Sequence, residues 1–544
     1  MNNRRIIIYA LLSFFLLLFI YKIVWLQFQT VNNNQTLKDK GIKQGLGIVK
    51  IQGYRGKILD TNGHLLAVEL PLKDIILDPV LLQKELYSKL AKALNISLYK
   101  LKNKIKHTNS ARYLPIIKNL PQTSKIIRNI QKLKKKVWTI NNKRQLIHGV
   151  FLEYSAKRYY PEGATLSPLL GLTNHQLVGI DGLEKIFEKR LASQNGEKQV
   201  VFDATRKEPI NIVKVIKPAV QGKDLQLTIN KNIQYYTFST LRNAVKKHKA
   251  NAGSAIVLDN NGNVLALANY PSDNPNNRKK YNPSGYRNRA VLDVFDIGST
   301  IKPIIISIAL DNKVIKPDDI IQTIDKKGRK ISLTISQVLE KSHNPSMIEI
   351  SKKLSKYQIW KTLNDLGFGY QTTLLPQIEN NGKLRYYTNW YEKDKESIAY
   401  GYGMNATLAQ LAQAYLVFAN HGAKININLF KENTNKQKQQ IFSEKTIIAV
   451  KKMLQSVVKI GTGKRAKLKN ISVLGKTGTA RKFIDGKYHN DKHRAFFVGL
   501  VPADKPKYIM AIMIDEPKIR GYGGGSVAAP VFKRTMDNIF KYAQ

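Results

Sequence analysis

Cysteine is absent from the 544 residues. That excludes disulfide scaffolds, cysteine zinc sites, iron–sulfur clusters and thiol nucleophiles. Acidic residues are scarce: 38 Asp and Glu stand against 89 Lys and Arg, so the formal balance is 89 − 38 = +51. Such a balance raises a polyanion partner, either nucleic acid or an anionic membrane surface. The basic residues are spread over the whole chain, in clusters no longer than Lys134-Lys135-Lys136 or Lys326-Lys327-Gly328-Arg329-Lys330. There is no RNA-binding sheet motif, zinc finger or basic region followed by heptads, so nucleic acid is set aside. The excess is read as drift to lysine on tolerant surfaces, with some attraction to anionic lipid. Long apolar runs are also missing, with one exception near the start. What is present is enough chain for two to four domains. A 43% hydrophobic fraction excludes a disordered tail.

The one long run is Ile6 to Leu26, 21 residues interrupted only by Lys22. It is long enough to cross a bilayer. Lys22 lies near one end, where its stem can reach the headgroups, and Trp25 suits the interfacial belt. The residues after the run are bulky, which argues against a cleaved signal and for an uncleaved anchor. Arg4 and Arg5 favour an N-terminus on the inner side, although Lys22, Lys38 and Lys40 weaken the asymmetry.

The rest divides in two. Residues 1–5 are a short tail, 6–26 the anchor and 27–50 a polar stalk. Residues 51–220 form a first domain and 221–544 a second. In the first, Asp60-Thr61-Asn62-Gly63 is a hairpin turn signal, residues 82–107 repeat at helical spacing, and Gly182 to Glu188 opens a helix. No catalytic constellation is visible there, and its charges are read as solvated faces. In the second, Asp224 to Asn230 alternates like a strand, and Gly253 to Asn269 is a hairpin around Asp259-Asn260-Asn261-Gly262. Helical runs fill Thr300 to about Ala419. Strands return at Val473–Thr479, Ala495–Val501 and Tyr508–Ile514, the last apolar throughout and so buried on both faces. The pattern predicts a sheet assembled from distant parts of the chain.

Three short motifs follow one another in the second domain: Ser299-Thr300-Ile301-Lys302, Ser342-His343-Asn344 and Lys476-Thr477-Gly478. Each is weak alone; their order and context carry the reading. Ser299 follows Gly298 and precedes an apolar helical run, so it stands at a helix N-terminus, where developing negative charge is favoured. Lys302 lies one turn on, and a desolvated lysine can take a serine proton. The bland reading of Ser299 is an N-cap. Ser342 and Asn344 occupy a turn before Pro345, where a hydroxyl and an amide can face one cleft; His343 is left as surface. Lys476, Thr477, Gly478 and Thr479 read as a strand on which Gly475 and Gly478 admit a substrate backbone. A backbone N–H there, with that of Ser299, would make an oxyanion hole. The bland reading of Lys476 is a charged guard on an edge strand.

These motifs resemble the serine acyltransferases that react with penicillin, and from about residue 50 to the end the chain is similar to class B penicillin-binding proteins. Arg55 to Gly63, Arg158 to Gly163 and Gly182-Leu183-Glu184 are similar to elements of that family's pedestal. Tyr400-Gly401-Tyr402-Gly403, Gln410 to Tyr415 and Gly521 to Phe532 look like its division-specific, FtsI-type subgroup. Departures occur at Thr61, at Phe295-Asp296-Ile297-Gly298, at His343 and Pro345-Ser346, and at Asn230. The resemblance implies a single transmembrane helix, an elongated pedestal, and a penicillin-binding or β-lactamase-like domain with a mainly antiparallel sheet flanked by helices. It implies a peptidoglycan D,D-transpeptidase with Ser299 as nucleophile, Lys302 as base and Ser342 as proton relay. Asn344, Lys476, Thr477, Gly478 and Thr479 would hold the stem pentapeptide and its carboxylate. β-Lactams would acylate Ser299, and no metal or cofactor would be needed. The catalytic part would be periplasmic at the septum, on the inner membrane, and no glycosyltransferase domain is seen, so an FtsW-type polymerase and other divisome proteins are implied partners. An elongation-specific transpeptidase and a D,D-carboxypeptidase share these motifs. A β-lactam sensor would need more spans, and a non-catalytic scaffold would not need Ser299.

Overall fold

The computed structural model describes residues 2–28, 30–31, 35–36, 45–108, 112–140, 143–202, 209–278, 282–325, 327–432 and 437–542. Half of the expected stalk at 27–50 lies outside them, as does Lys326, and the stalk's end, Leu46–Ile51, is a strand of a sheet rather than a stalk. By contacts the chain forms two compact units, Met1–Gly56 with Ala192–Lys223, and Lys57–Leu191 with Asp224–Gln544.

The first unit contains the helix Asn2–Phe28. Its Ile6–Leu26 stretch is apolar, long enough to cross a membrane, and none of it is buried against protein. A helix with apolar residues all round and no protein cover suggests a membrane anchor. Lys22 does not stand away from the helix: its Nζ lies 4.3 Å from the centre of the Trp25 ring, a cation–π contact suited to an interface. The unit also holds an antiparallel sheet in the order Pro209–Lys217, Gly196–Phe202, Leu46–Ile51.

In the second unit, the Asp60–Gly63 turn joins strands Ile58–Leu59 and Leu65–Leu77, as its sequence predicts, with Gly63 at φ +83°. Leu65–Leu77 then pairs with Leu114–Pro121 and Val150–Tyr159. The helical spacing at 82–107 resolves into two helices, Tyr87–Leu94 and Leu98–Lys106, separated where Asn95 turns left-handed at φ +56°. Helix Lys125–Lys135 begins at Ser124, whose Oγ accepts from Ile126 N, and buries Ile127, Ile130 and Leu133 on one face. These elements share a small core with Ile75, Leu77, Leu90 and Leu101.

The solvated-charge expectation for this region holds for most of its lysines and fails at a few charges. Arg158 and Glu184 have fully buried side chains and form an ion pair of 2.7 Å, and Asp60 is also buried. A hydropathy pattern does not register a charge neutralised by a partner 26 residues away.

Residues 224–544 are built on a five-stranded antiparallel sheet, in the order Val264–Tyr270, Ala252–Asp259, Tyr508–Asp515, Lys487–Val501, Leu474–Ile484. Ile509 to Ile514 are all buried in its centre, as the apolar run predicts. Helices Lys231–Lys247 and Ala529–Tyr542 share a core with one face through Phe238, Leu241, Phe532 and Met536. Helices Lys302–Asp311 and Leu408–Tyr415 share a larger core with the other through Ile304, Ile305 and Leu411. The alternation at 224–230 yields only a two-residue strand, Leu225–Gln226. Asn230, four residues on, caps the next helix, accepting from Asn232 N and Ile233 N.

Candidate active site

Ser299 lies in a 3-10 turn, Gly298–Ile301, that runs directly into helix Lys302–Asp311. It is not an N-cap, because neither segment has a side-chain cap at its start. Pro303 occupies the first turn of the helix, where its missing N–H costs nothing. The turn is fixed by close backbone approach. Gly298 N donates to Gly401 O at 3.0 Å, and a Cβ on Gly401 would sit 2.0 Å from Gly298 O. Gly401 has φ +95°, so both space and conformation require glycine there. A Cβ on Gly298 would lie 3.0 Å from Thr479 O and 3.5 Å from Thr479 N, so the Ser299 turn abuts the strand that carries the third motif. The Tyr415 hydroxyl donates to Thr300 O from the opposite side.

Lys302 and Lys476 have no exposed surface. Lys302 Nζ donates to Ser342 O at 2.7 Å and Asn344 Oδ1 at 2.6 Å, and lies 3.5 Å from Ser342 Oγ. Lys476 Nζ donates to Ser342 Oγ at 2.8 Å and Thr477 O at 3.2 Å. Burial, then the charge of Lys476, pushes the Lys302 amine well below its ordinary value. Burial brings Lys476 down to about 7. No carboxylate contributes to either shift, so the two cations are uncompensated. A neutral lysine has two N–H groups and one lone pair. The two short bonds from Lys302 go to carbonyl oxygens, which only accept, so both N–H groups are used and the lone pair is left for a hydroxyl proton.

Ser342 is held at φ +55°, an uncommon conformation for a residue with a Cβ and one that recurs at functional sites. Asn344 does not lie at a loop tip. It is the first residue of helix Asn344–Lys352, and His343 caps that helix by accepting from Ser346 N through Nδ1. His343 is therefore half-buried and structural rather than a loose surface residue.

Lys476 and Thr477 lie on the edge strand Leu474–Ile484, but their burial excludes a role as exposed guards of that edge. The Cβ positions of the neighbouring glycines face protein. A Cβ on Gly475 would meet Phe497 at 2.5 Å, and one on Gly478 would meet Thr300 Cγ2 at 2.8 Å. Thr477 Oγ1 lies 2.7 Å from Thr462 Oγ1, and Thr479 Oγ1 accepts from Gly524 N at 3.2 Å. The structure thus brings Lys302, Ser342, Asn344 and Lys476 into one hydrogen-bonded group, with the Ser299 turn packed against Gly478 and Thr479.

Sequence reasoning missed Gly401, Thr462 and an aromatic rim. Tyr402 OH accepts from Arg481 N at 3.0 Å, and the Tyr402 and Tyr488 rings meet edge to face at 5.3 Å. Tyr488 OH donates to Asp296 Oδ2 at 3.2 Å. Burial raises Asp296 to about 6 against the opposing pull of that hydrogen bond. The Tyr400–Gly403 repeat was the available signal, but nothing local ties it to Ser299. Size is no guide either: a cavity of about 580 Å³ is lined by Lys451, Lys452, Gln455 and Asp504 and by none of the motif residues.

Comparison with known proteins gives a consistent result. A family model described as penicillin binding protein transpeptidase domain matches residues 253–537, and one described as penicillin-binding protein dimerisation domain matches 50–227. The peptidoglycan D,D-transpeptidase FtsI of Buchnera aphidicola subsp. Baizongia pistaciae is 32% identical over 99% of this chain and 95% of its own. That of Escherichia coli K12 is 31% identical over 96% and 88%. Penicillin Binding Protein 2X from Streptococcus thermophilus shares the fold, with a TM-score of 0.74 at 20% identity over 91% of this chain and 80% of its own.

Proposed function

The chain belongs to the class B penicillin-binding proteins of FtsI type, and from that premise we propose that Ser299 is the nucleophile of its peptidoglycan D,D-transpeptidase activity. The observation that carries the assignment is the convergence of two buried, uncompensated lysines on Ser342 beside the Ser299 turn. Ser299 Oγ attacks the carbonyl of the penultimate D-alanine of a stem pentapeptide, and its proton passes to the lone pair of Lys302. Backbone N–H groups of Ser299 and Thr479 receive the developing oxyanion. The peptide C–N bond breaks, and a proton relayed from Lys302 through Ser342 Oγ goes to the departing D-alanine nitrogen. An amine of a neighbouring stem then attacks the acyl-enzyme, returns the proton along the same path and frees Ser299. Asn344 holds the stem, while Lys476, Thr477, Gly478 and Thr479 receive its terminal carboxylate. β-Lactams enter by the same attack and remain on Ser299.

The remaining assignments rest on the family and the composition. Residues 1–5 would be a cytoplasmic tail, 6–26 the inner-membrane anchor, 27–50 the stalk, 51–220 the pedestal and 221–544 the periplasmic transpeptidase domain. The Tyr400–Gly403 and Gly521–Phe532 segments and the FtsI relatives favour work at the septum, with an FtsW-type polymerase and other divisome proteins.

The test supplies the full-length protein with a synthetic stem pentapeptide and an amine acceptor. Cross-linked product and free D-alanine are expected in equal amounts. D-alanine released without cross-links would make the protein a carboxypeptidase.

The lysines also predict a pH profile. For kcat/KM of penicillin acylation, the free enzyme's groups set the limbs. The rate should rise with pH as Lys302 loses its proton, which it does well below its ordinary value. It should fall above about 7 as Lys476 loses the charge that holds the carboxylate. A plateau extending to pH 9 would remove Lys476 from carboxylate binding. The stability effect has the opposite course: between about 7 and the ordinary 10.5 the unfolded chain binds the proton that folded Lys476 has lost, so stability rises with pH across that window.

Gly401→Ala should slow acylation by roughly 100-fold, since a displacement of ~1 Å at the reacting centre costs about that much. An unchanged rate would mean that the Ser299 turn is not held by this contact.

A further inference from the structure

A second cavity, of about 160 Å³, is lined by Lys247, His248, Arg465, Arg520, Arg534 and Ser526, with small apolar residues and no carboxylate. These come from the end of helix Lys231–Lys247, from the Lys464–Ala466 turn, and from the segment running from the central strand into helix Ala529–Tyr542. Among the described residues, Lys247, Arg465, Arg520 and Arg534 make no ion pair. Elsewhere Arg158, Arg190, Arg287, Arg329, Arg385 and Arg494 each face a carboxylate, and Arg278 and Arg289 donate to backbone carbonyls. The chain has 20 arginines and 89 − 20 = 69 lysines, so drift toward lysine does not account for three unpaired arginines around one small space.

The surroundings are ordered. His248 is buried, and its Nδ1 lies 3.0 Å from Ile519 O. Lys518 N and Ile519 N both donate to His248 O, at 2.9 and 3.2 Å. Pro530 and Val531, in the first turn of the 14-residue helix Ala529–Tyr542, complete the wall. The positive end of that helix adds to the arginine charges. Guanidinium forks match the paired oxygens of a tetrahedral oxyanion better than those of any neutral ligand. The volume suits one such group and not a polymer.

We propose that this cavity binds a phosphate-class anion, held by Arg465, Arg520 and Arg534. Its occupancy would also steady the segment that follows Arg520, in which Gly524 N donates to Thr479 Oγ1. A Cβ on Gly524 would meet Gly478 O at 2.5 Å, so this segment is packed directly on the strand bearing the third motif. The anion could be free inorganic phosphate or the phosphate of a lipid headgroup.

The test is thermal unfolding of the full-length protein in detergent, with sodium phosphate compared against sodium chloride at equal ionic strength. At a hundredfold excess over Kd, phosphate should raise Tm by roughly 5 °C. The triple variant Arg465→Gln/Arg520→Gln/Arg534→Gln should lose that rise while still taking fluorescent penicillin in chloride, which shows that it is folded. Equal effects of phosphate and chloride, or the same rise in the variant, would overturn the site. Nanodiscs separate the sources. A rise in phosphatidylglycerol discs over phosphatidylcholine discs, absent from the variant, identifies the headgroup. A rise only on adding inorganic phosphate identifies the free ion.

Discussion

Ser299→Ala should abolish covalent labelling by penicillin and reduce transpeptidation by at least ~10³-fold. The loss is large because no other hydroxyl has the same position. Ser342 Oγ accepts from Lys476 and is held in a left-handed turn, so it cannot replace the nucleophile without leaving the relay. The residual rate would come from Lys302, Lys476 and the oxyanion donors acting on water, which remain in the variant. Ser299 is half-buried and belongs to a turn fixed by Gly298 and Gly401, so the fold should not depend on its hydroxyl. Mass spectrometry of the intact protein after penicillin treatment reads the adduct directly. An adduct persisting in the alanine variant would move the nucleophile elsewhere.

Glu184→Ala should destabilise the protein by about 3–5 kcal/mol, the usual cost of leaving one member of a buried ion pair alone. Arg158 and Glu184 have no exposed side-chain surface and lie 2.7 Å apart. Without Glu184 the guanidinium would keep its charge, since arginine does not lose a proton in proteins. Its Nη1 and Nη2 have no other partner among the described residues, so nothing would take over that charge. Replacing both members, as Arg158→Met with Glu184→Leu, should recover part of the loss, because the charge of Arg158 is removed with its partner. The urea midpoint of the full-length protein measures both. A midpoint shift worth less than 1 kcal/mol for Glu184→Ala would show that water reaches Arg158 and that the pair is not sealed.

These two predictions differ in how far the sequence led to them. Ser299, Lys302, Ser342, Asn344 and Lys476 could be named from short motifs because each motif sits in a local context: a glycine before an apolar helical run, a turn before proline, a strand with two glycines. Arg158 and Glu184 looked like surface charges because burial is set by what packs around a residue, and that depends on strands far away in the chain. The same limit applies to Gly475 and Gly478. Small residues predicted close approach correctly, but not that the approaching groups would be Phe497 and Thr300. His343 reads as surface in the sequence because a helix cap is recognised only when the helix start is known.

By itself the sequence determined the long apolar N-terminal helix, the hairpins and the central apolar strand. These depend on neighbours within one element, and periodicity records them. It also determined which residue types carry the chemistry and their order. The tertiary structure decided their state. Lys302 meets Ser342 from 40 residues away, and Ser342 meets Lys476 from 134. Only after those segments close does water leave both amines. A lysine in solution is a cation at neutral pH. Here the fold removes its solvent and puts a second cation beside it without a carboxylate, and that makes a base out of a residue whose one-letter code says the opposite.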